Sequence, residues 1–153
     1  MKNYSVSTVR ALFARSKCYS LLLLALLFAS CTIISPFDQF TLNESYSTKK
    51  DIAVLYQLLE DVDAEQRQYE LFQRDYARIV ASLNTLLDRQ QRRKNNVETT
   101  KIVQQIRDFV IKYRDSHKQK NAYKNAQIKL HRKRLDSLMT ALIVAEEAKK
   151  RSS

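Results

Sequence analysis

The sequence predicts an all-α fold, a long antiparallel coiled-coil helical hairpin, and three observations carry that prediction. Glycine is absent and proline occurs once, at Pro36, in 153 residues. Tight strand turns and phosphate-cradling loops use glycine for positive φ or close backbone approach, whereas a helix interior has no need of it. From residue 48 onward the chain is rich in Leu, Ala, Glu, Gln, Lys and Arg, which lose little on entering a helix. Apolar residues there recur in alternating steps of three and four, the spacing of a heptad seam, on both sides of Asn95-Asn96.

The first element is a leader. Lys2, Arg10, Arg15 and Lys17 are followed by the apolar run Leu21–Phe28 and then by Ala29-Ser30-Cys31, and no acidic residue precedes Asp38. Basic, apolar and small-residue regions in that order make a secretory signal. Even when extended through Ile34 the apolar core falls short of the roughly 20 residues that span a bilayer as a helix, which favours a signal over an anchor.

Phe28-Ala29-Ser30-Cys31 resembles the lipobox of bacterial lipoproteins, in which Leu, a small residue and Gly, Ala or Ser precede the cysteine. The last three positions match, and Phe28 stands where Leu is usual. The resemblance implies cleavage between Ser30 and Cys31, with diacylglycerol joined to the Cys31 thiol by a thioether and the freed amine acylated in turn. Each buried methylene contributes about 0.8 kcal/mol, so two or three chains hold a protein far more firmly than one. Thr32 is not the aspartate that retains lipoproteins in the inner membrane of enteric-type bacteria, so the resemblance implies the periplasmic face of the outer membrane. Three other readings stay open: an uncleaved short anchor over Leu21–Ile34, a cleaved secretory signal without lipid, and a mitochondrial presequence with Val6, Val9, Leu12 and Phe13 on one face. All four place the chain at or across a membrane. Cys18 leaves with the leader, so a mature chain carries one cysteine and no internal disulfide.

Residues 31–47 read as a lipidated N-terminus and tether. They hold the only proline and no regular period, with Phe37, Phe40, Leu42 and Tyr46 able to pack on the body or meet the lipid interface. The helical hairpin is expected over 48–150. Thr48-x-x-Asp51 has capping-box spacing. The first seam runs Ile52, Leu55, Leu59, Val62, Gln66, Tyr69, Gln73, Tyr76, Val80, Leu83, Leu87 and Gln90, flanked by Leu58, Phe72, Ile79 and Leu86. Arg92-Arg93-Lys94 suits the negative end of the helix dipole. Asn95-Asn96 then breaks the pattern, and Asn95-x-x-Glu98 can cap a second helix with Ile102/Val103, Ile106, Phe109/Val110 and Tyr113 on its face. Residues 114–127 lose that face. It returns shifted by one position at Ile128, His131, Leu135, Leu138, Leu142 and Ala145, through either a local change of winding or a break near Asn121. Folding about 95–96 pairs position i with roughly 191 − i. Two helices of about 70 and 80 Å would result.

Charge is distributed unevenly. The formal net charge of +11 falls to +7 without the four leader cations; residues 38–88 carry 5 basic and 10 acidic side chains, and residues 89–134 carry 15 and 3. The hairpin would set Glu60, Asp61, Asp63, Glu65, Glu70 and Asp75 near the candidate anion-binding set Lys118, Lys120, Lys124, Lys129 and Arg132. Those cations therefore serve either the acidic first helix or an envelope polyanion such as lipid head groups, lipopolysaccharide or cell-wall polymer. Export argues against nucleic acid.

No catalytic constellation is legible. His117 and His131 are fourteen residues apart without a ligand cluster, so neither is expected to bind metal; His117 reads as a solvated position and His131 as a seam filler. Asp61/Asp63 and Glu146/Glu147 read as solvated helix faces. The sequence thus predicts a non-enzymatic lipoprotein without cofactor, held by membrane lipid through acylated Cys31. Its coiled coil would bind a protein partner, self-associate or act as a spacer.

Overall fold

The computed structural model describes residues 34–152. These residues form one compact unit, all helical apart from short connections: α1 (Gln39–Asp61), a 3-10 turn at Ala64–Gln66, α2 (Tyr69–Arg92), α3 (Val97–Lys120) and α4 (Asn125–Ser152). Helix α1 packs on α2 and α4, and α3 packs on the same two. Chain neighbours run antiparallel, an arrangement consistent with an up-down-up-down four-helix bundle.

Each helix turns one face inward at steps of three and four. In α2 that face is Phe72, Tyr76, Ile79, Leu83, Leu86 and Gln90; in α3 it is Thr99, Val103, Ile106, Val110, Tyr113 and His117. The expected seam is corrected by one step in α2. Val80 and Leu87 are only half-buried, and their flanking neighbours Ile79 and Leu86 occupy the centre. Two seams converge on a four-helix core and rotate each helix relative to the two-stranded geometry.

The single long first helix is likewise corrected. It starts nine residues before Thr48 and ends at Asp61. The early start has a local cause: Thr41, Ser45 and Thr48 continue the buried face of Ile52, Leu55, Tyr56 and Leu59 back to the N-terminus. Ser45 Oγ donates to the Thr41 carbonyl at 2.7 Å, which satisfies a buried hydroxyl within the helix. Thr48 therefore lies inside α1 and caps nothing, and most of the expected tether is helix. Asp38, extended at φ −135°, takes the N-cap position, and its carbonyl accepts the Leu42 N–H at 3.1 Å.

Both arms of the expected hairpin fold back at their polar midpoints. The first reversal, 62–68, contains neither glycine nor proline. Arg67 holds it, donating from Nε to the Val62 carbonyl (3.0 Å) and from Nη1 to the Tyr123 carbonyl (3.0 Å) and Asn125 Oδ1 (2.5 Å). Its side chain thus stitches together the reversals of both arms. The second reversal uses Asn121, left-handed at φ 46°, whose N–H donates to the His117 carbonyl at 2.8 Å. Asn is one of the few residues that tolerate that region, and its Oδ1 reaches across to the other reversal, accepting the Tyr69 N–H at 2.8 Å. Between α2 and α3 the expected break is present, with Asn95 left-handed at φ 54°. The N-cap of α3 is Asn96 and not Asn95, and the Asn96 carbonyl accepts the Thr100 N–H at 3.0 Å.

Candidate functional site

The expected cleavage pair Ser30 and Cys31, with lipid attachment at Cys31, lies outside the described residues. The five candidate anion-binding residues lie around the end of the bundle made by the two reversals, called here the turn end. Arg132 Nη1 reaches Glu60 at 2.6 Å. Lys118 Nζ sits 5.8 Å above the Tyr69 ring. Lys120 and Lys124 are exposed, and Lys129 lines a small hollow with Glu60, Arg67 and Asn125. The five are not gathered into a single cluster. With Arg132, residues 60–70 and 118–129 carry six basic and five acidic side chains, so this end is close to neutral.

Beneath it lies a buried aromatic and imidazole centre. His117, expected at a solvated position, is 2 % exposed. Its Nε2 lies 2.9 Å from the Arg67 carbonyl, which can only accept, so Nε2 carries the hydrogen and Nδ1 is left to accept from Tyr76 Oη at 3.3 Å. Burial pushes the His117 pKa down, which favours this neutral form. His131 stacks on Tyr113 at 3.5 Å between centroids and meets Tyr123 Oη at 2.5 Å through Nδ1. Burial first, then Arg134 and Lys112, push its pKa down to about 4. Burial raises the Tyr123 hydroxyl to about 12, so that hydroxyl is the donor to the imidazole. Tyr56 Oη, 3.4 Å from Tyr123 Oη, completes the chain. These groups satisfy one another inside the core, and among the described residues no group of three metal-ligating side chains is assembled.

The opposite end joins the start of α1, the end of α2, the start of α3 and the end of α4; it is called here the terminal end. The carboxylate of Glu146, expected on a solvated face, is fully buried. Its Oε1 accepts from the Asp38 N–H (2.7 Å) and Arg93 Nη2 (3.0 Å), and its Oε2 accepts from Lys149 Nζ (2.9 Å). Lys149 also donates to Asn96 Oδ1 (2.8 Å) and Thr99 Oγ1 (2.9 Å). Asn96 Nδ2 donates to Gln90 Oε1 at 2.7 Å, and Gln90 Nε2 donates to Thr41 Oγ1 at 2.7 Å. Thr41 then donates to Asp38 Oδ2 at 2.6 Å. Asp38 closes the set by accepting both Nε and Nη2 of Arg89, at 2.5 and 2.9 Å. The Arg89 hydrogen bonds hold the Asp38 carboxyl well below the usual range, against the opposing effect of partial burial. Arg93 also donates to the Pro36 carbonyl, and Ser35 N–H donates to the Asn95 carbonyl at 3.1 Å, which lays residues 35–38 onto the bundle.

This network escapes a composition-based reading because buried charges look like solvated ones in sequence. Its signal is positional: Glu146 and Lys149 continue the seam Leu135, Met139, Leu142 by steps of four and three. An open groove between α3 and α4, lined by Phe109, Leu130 and Leu138 with Lys133 and Arg134 beside them, is the other concave feature of note. No helix among the described residues is long and apolar enough to cross a membrane.

No family model, curated protein or solved structure matches the chain.

Proposed function

We propose that the chain is a membrane-anchored cell-envelope lipoprotein whose helical body is a non-enzymatic interaction or spacer module. In this reading residues 1–30 are removed, Cys31 carries the lipid, and the body faces the periplasm from the outer membrane. The observation that carries the proposal is the basic, apolar and Ala29-Ser30-Cys31 order of the leader, set directly before a self-contained body. Ser35 is already buried against the bundle. The span from Cys31 to Ile34 is at most about 10 Å, so the body sits close to its point of attachment.

The body itself reads as the coiled-coil hairpin doubled over at its middle. Contacts across both outer and inner helix pairs keep index sums near 191: Asn84 with Arg107, Glu60 with Arg132, and Tyr46 with Glu147. Doubling shortens a projecting rod of about 70–80 Å to helices of 23 to 28 residues, about 35–42 Å. Such a body suits a partner near the membrane surface more than a long spacer.

Intact-mass measurement of the mature protein from its native membrane, beside a Cys31→Ser variant, tests the anchor. A chain beginning at residue 31 with added acyl mass is the expected result. An N-terminus upstream of residue 31 without acyl mass would overturn it. Crosslinks between residues near 66 and near 125 test the body. They should form within one chain, and formation only between chains would replace the doubled hairpin with an intermolecular coil.

A further inference from the structure

We infer that the terminal end of the bundle is a docking face for an anionic phospholipid bilayer. The inference rests on the reading above that the chain is anchored through its N-terminal side. It assigns membrane contact to an end that the charge pattern alone did not single out.

The two ends carry the same kinds of residue in different balance. At the terminal end, residues 34–40, 89–98 and 146–151 contribute seven basic and four acidic side chains, whereas the turn end, Arg132 included, sets six against five. The network engages two of the acids and three of the cations, while Glu98 and Glu147 stay at the surface, Glu98 beside Lys101 and Glu147 beside Tyr46. Glu146 is enclosed by Arg93 and Lys149, and Asp38 is held by Arg89. Arg92, Lys94, Lys150 and Arg151 are left exposed. Each such cation near an anionic surface raises the binding constant by about fivefold at low salt.

Apolar side chains lie among these cations. Ile34 is 58 % exposed, Phe40 43 % and Val97 62 %. Arg89 lies 4.6 Å above the Phe40 ring, and Lys150 lies 5.6 Å above the Phe37 ring. An exposed and a half-buried aromatic, Phe40 and Phe37, interleaved with cations suit the boundary between head groups and acyl chains, where a ring takes the apolar layer and a cation the phosphates. The direction of the chain supplies the second argument. The described residues begin at Ile34 on this face, three residues from Cys31, so an anchored chain presents this end to the bilayer without a long spacer. Charge complementarity and the exit point of the chain agree on one occupant.

Lysine acetylation followed by mass spectrometry reads the contact within a single sample. The full chain is reconstituted with vesicles of phosphatidylcholine containing phosphatidylglycerol, and in parallel with phosphatidylcholine alone. Co-flotation with vesicles reports attachment through the N-terminal segment, independently of docking. Docking predicts that acetylation of Lys94 and Lys150 slows about fivefold or more in the anionic vesicles, while Lys120 and Lys124 at the turn end react unchanged. The protection should vanish in 0.5 M NaCl and in an Arg92→Gln/Arg151→Gln variant, whose substitutions lie outside the buried network. Equal protection in neutral vesicles, equal protection at both ends, or none in a chain that still co-floats would overturn the inference. Concentration-dependent protection without vesicles would overturn it too, by assigning the face to a second copy of the chain.

Discussion

The two ends of the bundle solve the same problem with opposite chemistry. Both must close a four-helix core where chain direction reverses and backbone groups lose their helical partners. At the turn end the closing groups are neutral rings, two imidazoles among tyrosines, with one arginine tying the reversals to carbonyl oxygens. At the terminal end the closing groups are ionised: Glu146 between Arg93 and Lys149, and Asp38 against Arg89. A neutral cluster needs little compensation for burial but gains charge in acid. An ionic cluster needs every lone pair matched, because a buried charge that loses its partner is not rescued by water.

The largest effect should come from splitting the ionic end. Glu146→Gln preserves shape but leaves Lys149 and Arg93 without their counter-charge, and a loss of about 3–5 kcal/mol is expected in urea unfolding. A loss below about 1 kcal/mol would mean that solvent already screens the site.

At the other end, Arg67→Met removes three hydrogen bonds from a residue that is 4 % exposed. Charged donors of this kind contribute about 1.5–3 kcal/mol each at most, and partial replacement by water makes a total loss of about 2–3 kcal/mol the expected outcome of the same measurement. Intrachain crosslinking between 66 and 125 should weaken in parallel.

Acid should separate the ends without mutation. The folded pKa values of His117 and His131 lie below the unfolded value of 6.5, so below pH 6.5 the unfolded chain binds protons that the folded one refuses. Their contribution is complete above 6.5 and is lost as pH falls toward about 4, where His131 titrates. Asp38 is depressed from 3.8, so its contribution persists through that window and is lost only below it. Hydrogen exchange should therefore show amides at 117–131 losing protection between pH 6.5 and 4, ahead of those at 38–45 and 93–103. Simultaneous loss at both ends would show that the two closures open as one unit.

The smallest effect belongs to the exposed cations of the turn end. Lys120→Ala and Lys124→Ala should change stability by less than about 0.5 kcal/mol, as read from denaturation midpoints.

What could be read from the sequence divides along similar lines. Heptad steps and an Asn-Asn pair locate α2, α3 and the turn between them, because apolar periodicity and left-handed Asn positions leave a local trace. The fold-back at 62–68 leaves none. It has no glycine or proline, and its organiser is one arginine whose partners lie 56 and 58 positions away. The start of α1 was hidden because Thr41, Ser45 and Thr48 occupy core positions where a reader looks for aliphatic residues. Glu146 and Lys149 were hidden for the converse reason, as charges on a face whose partners come from three other segments. The polar interruption at 114–127 was visible, and of its two readings the break near Asn121 is the one the chain takes, with the helix ending at Lys120 and Asn121 left-handed.

The placement of the chain's exits has a mechanical consequence. Phe37 lies under Lys150 and the Asp38 N–H bonds Glu146, so tension applied between the start of α1 and the end of α4 would peel these two helices apart one contact at a time. Shearing the two helices past each other, which loads all contacts together, would demand much greater force. A load on this pair of exits would open the terminal end first and leave the α2–α3 hairpin intact as the last folded piece.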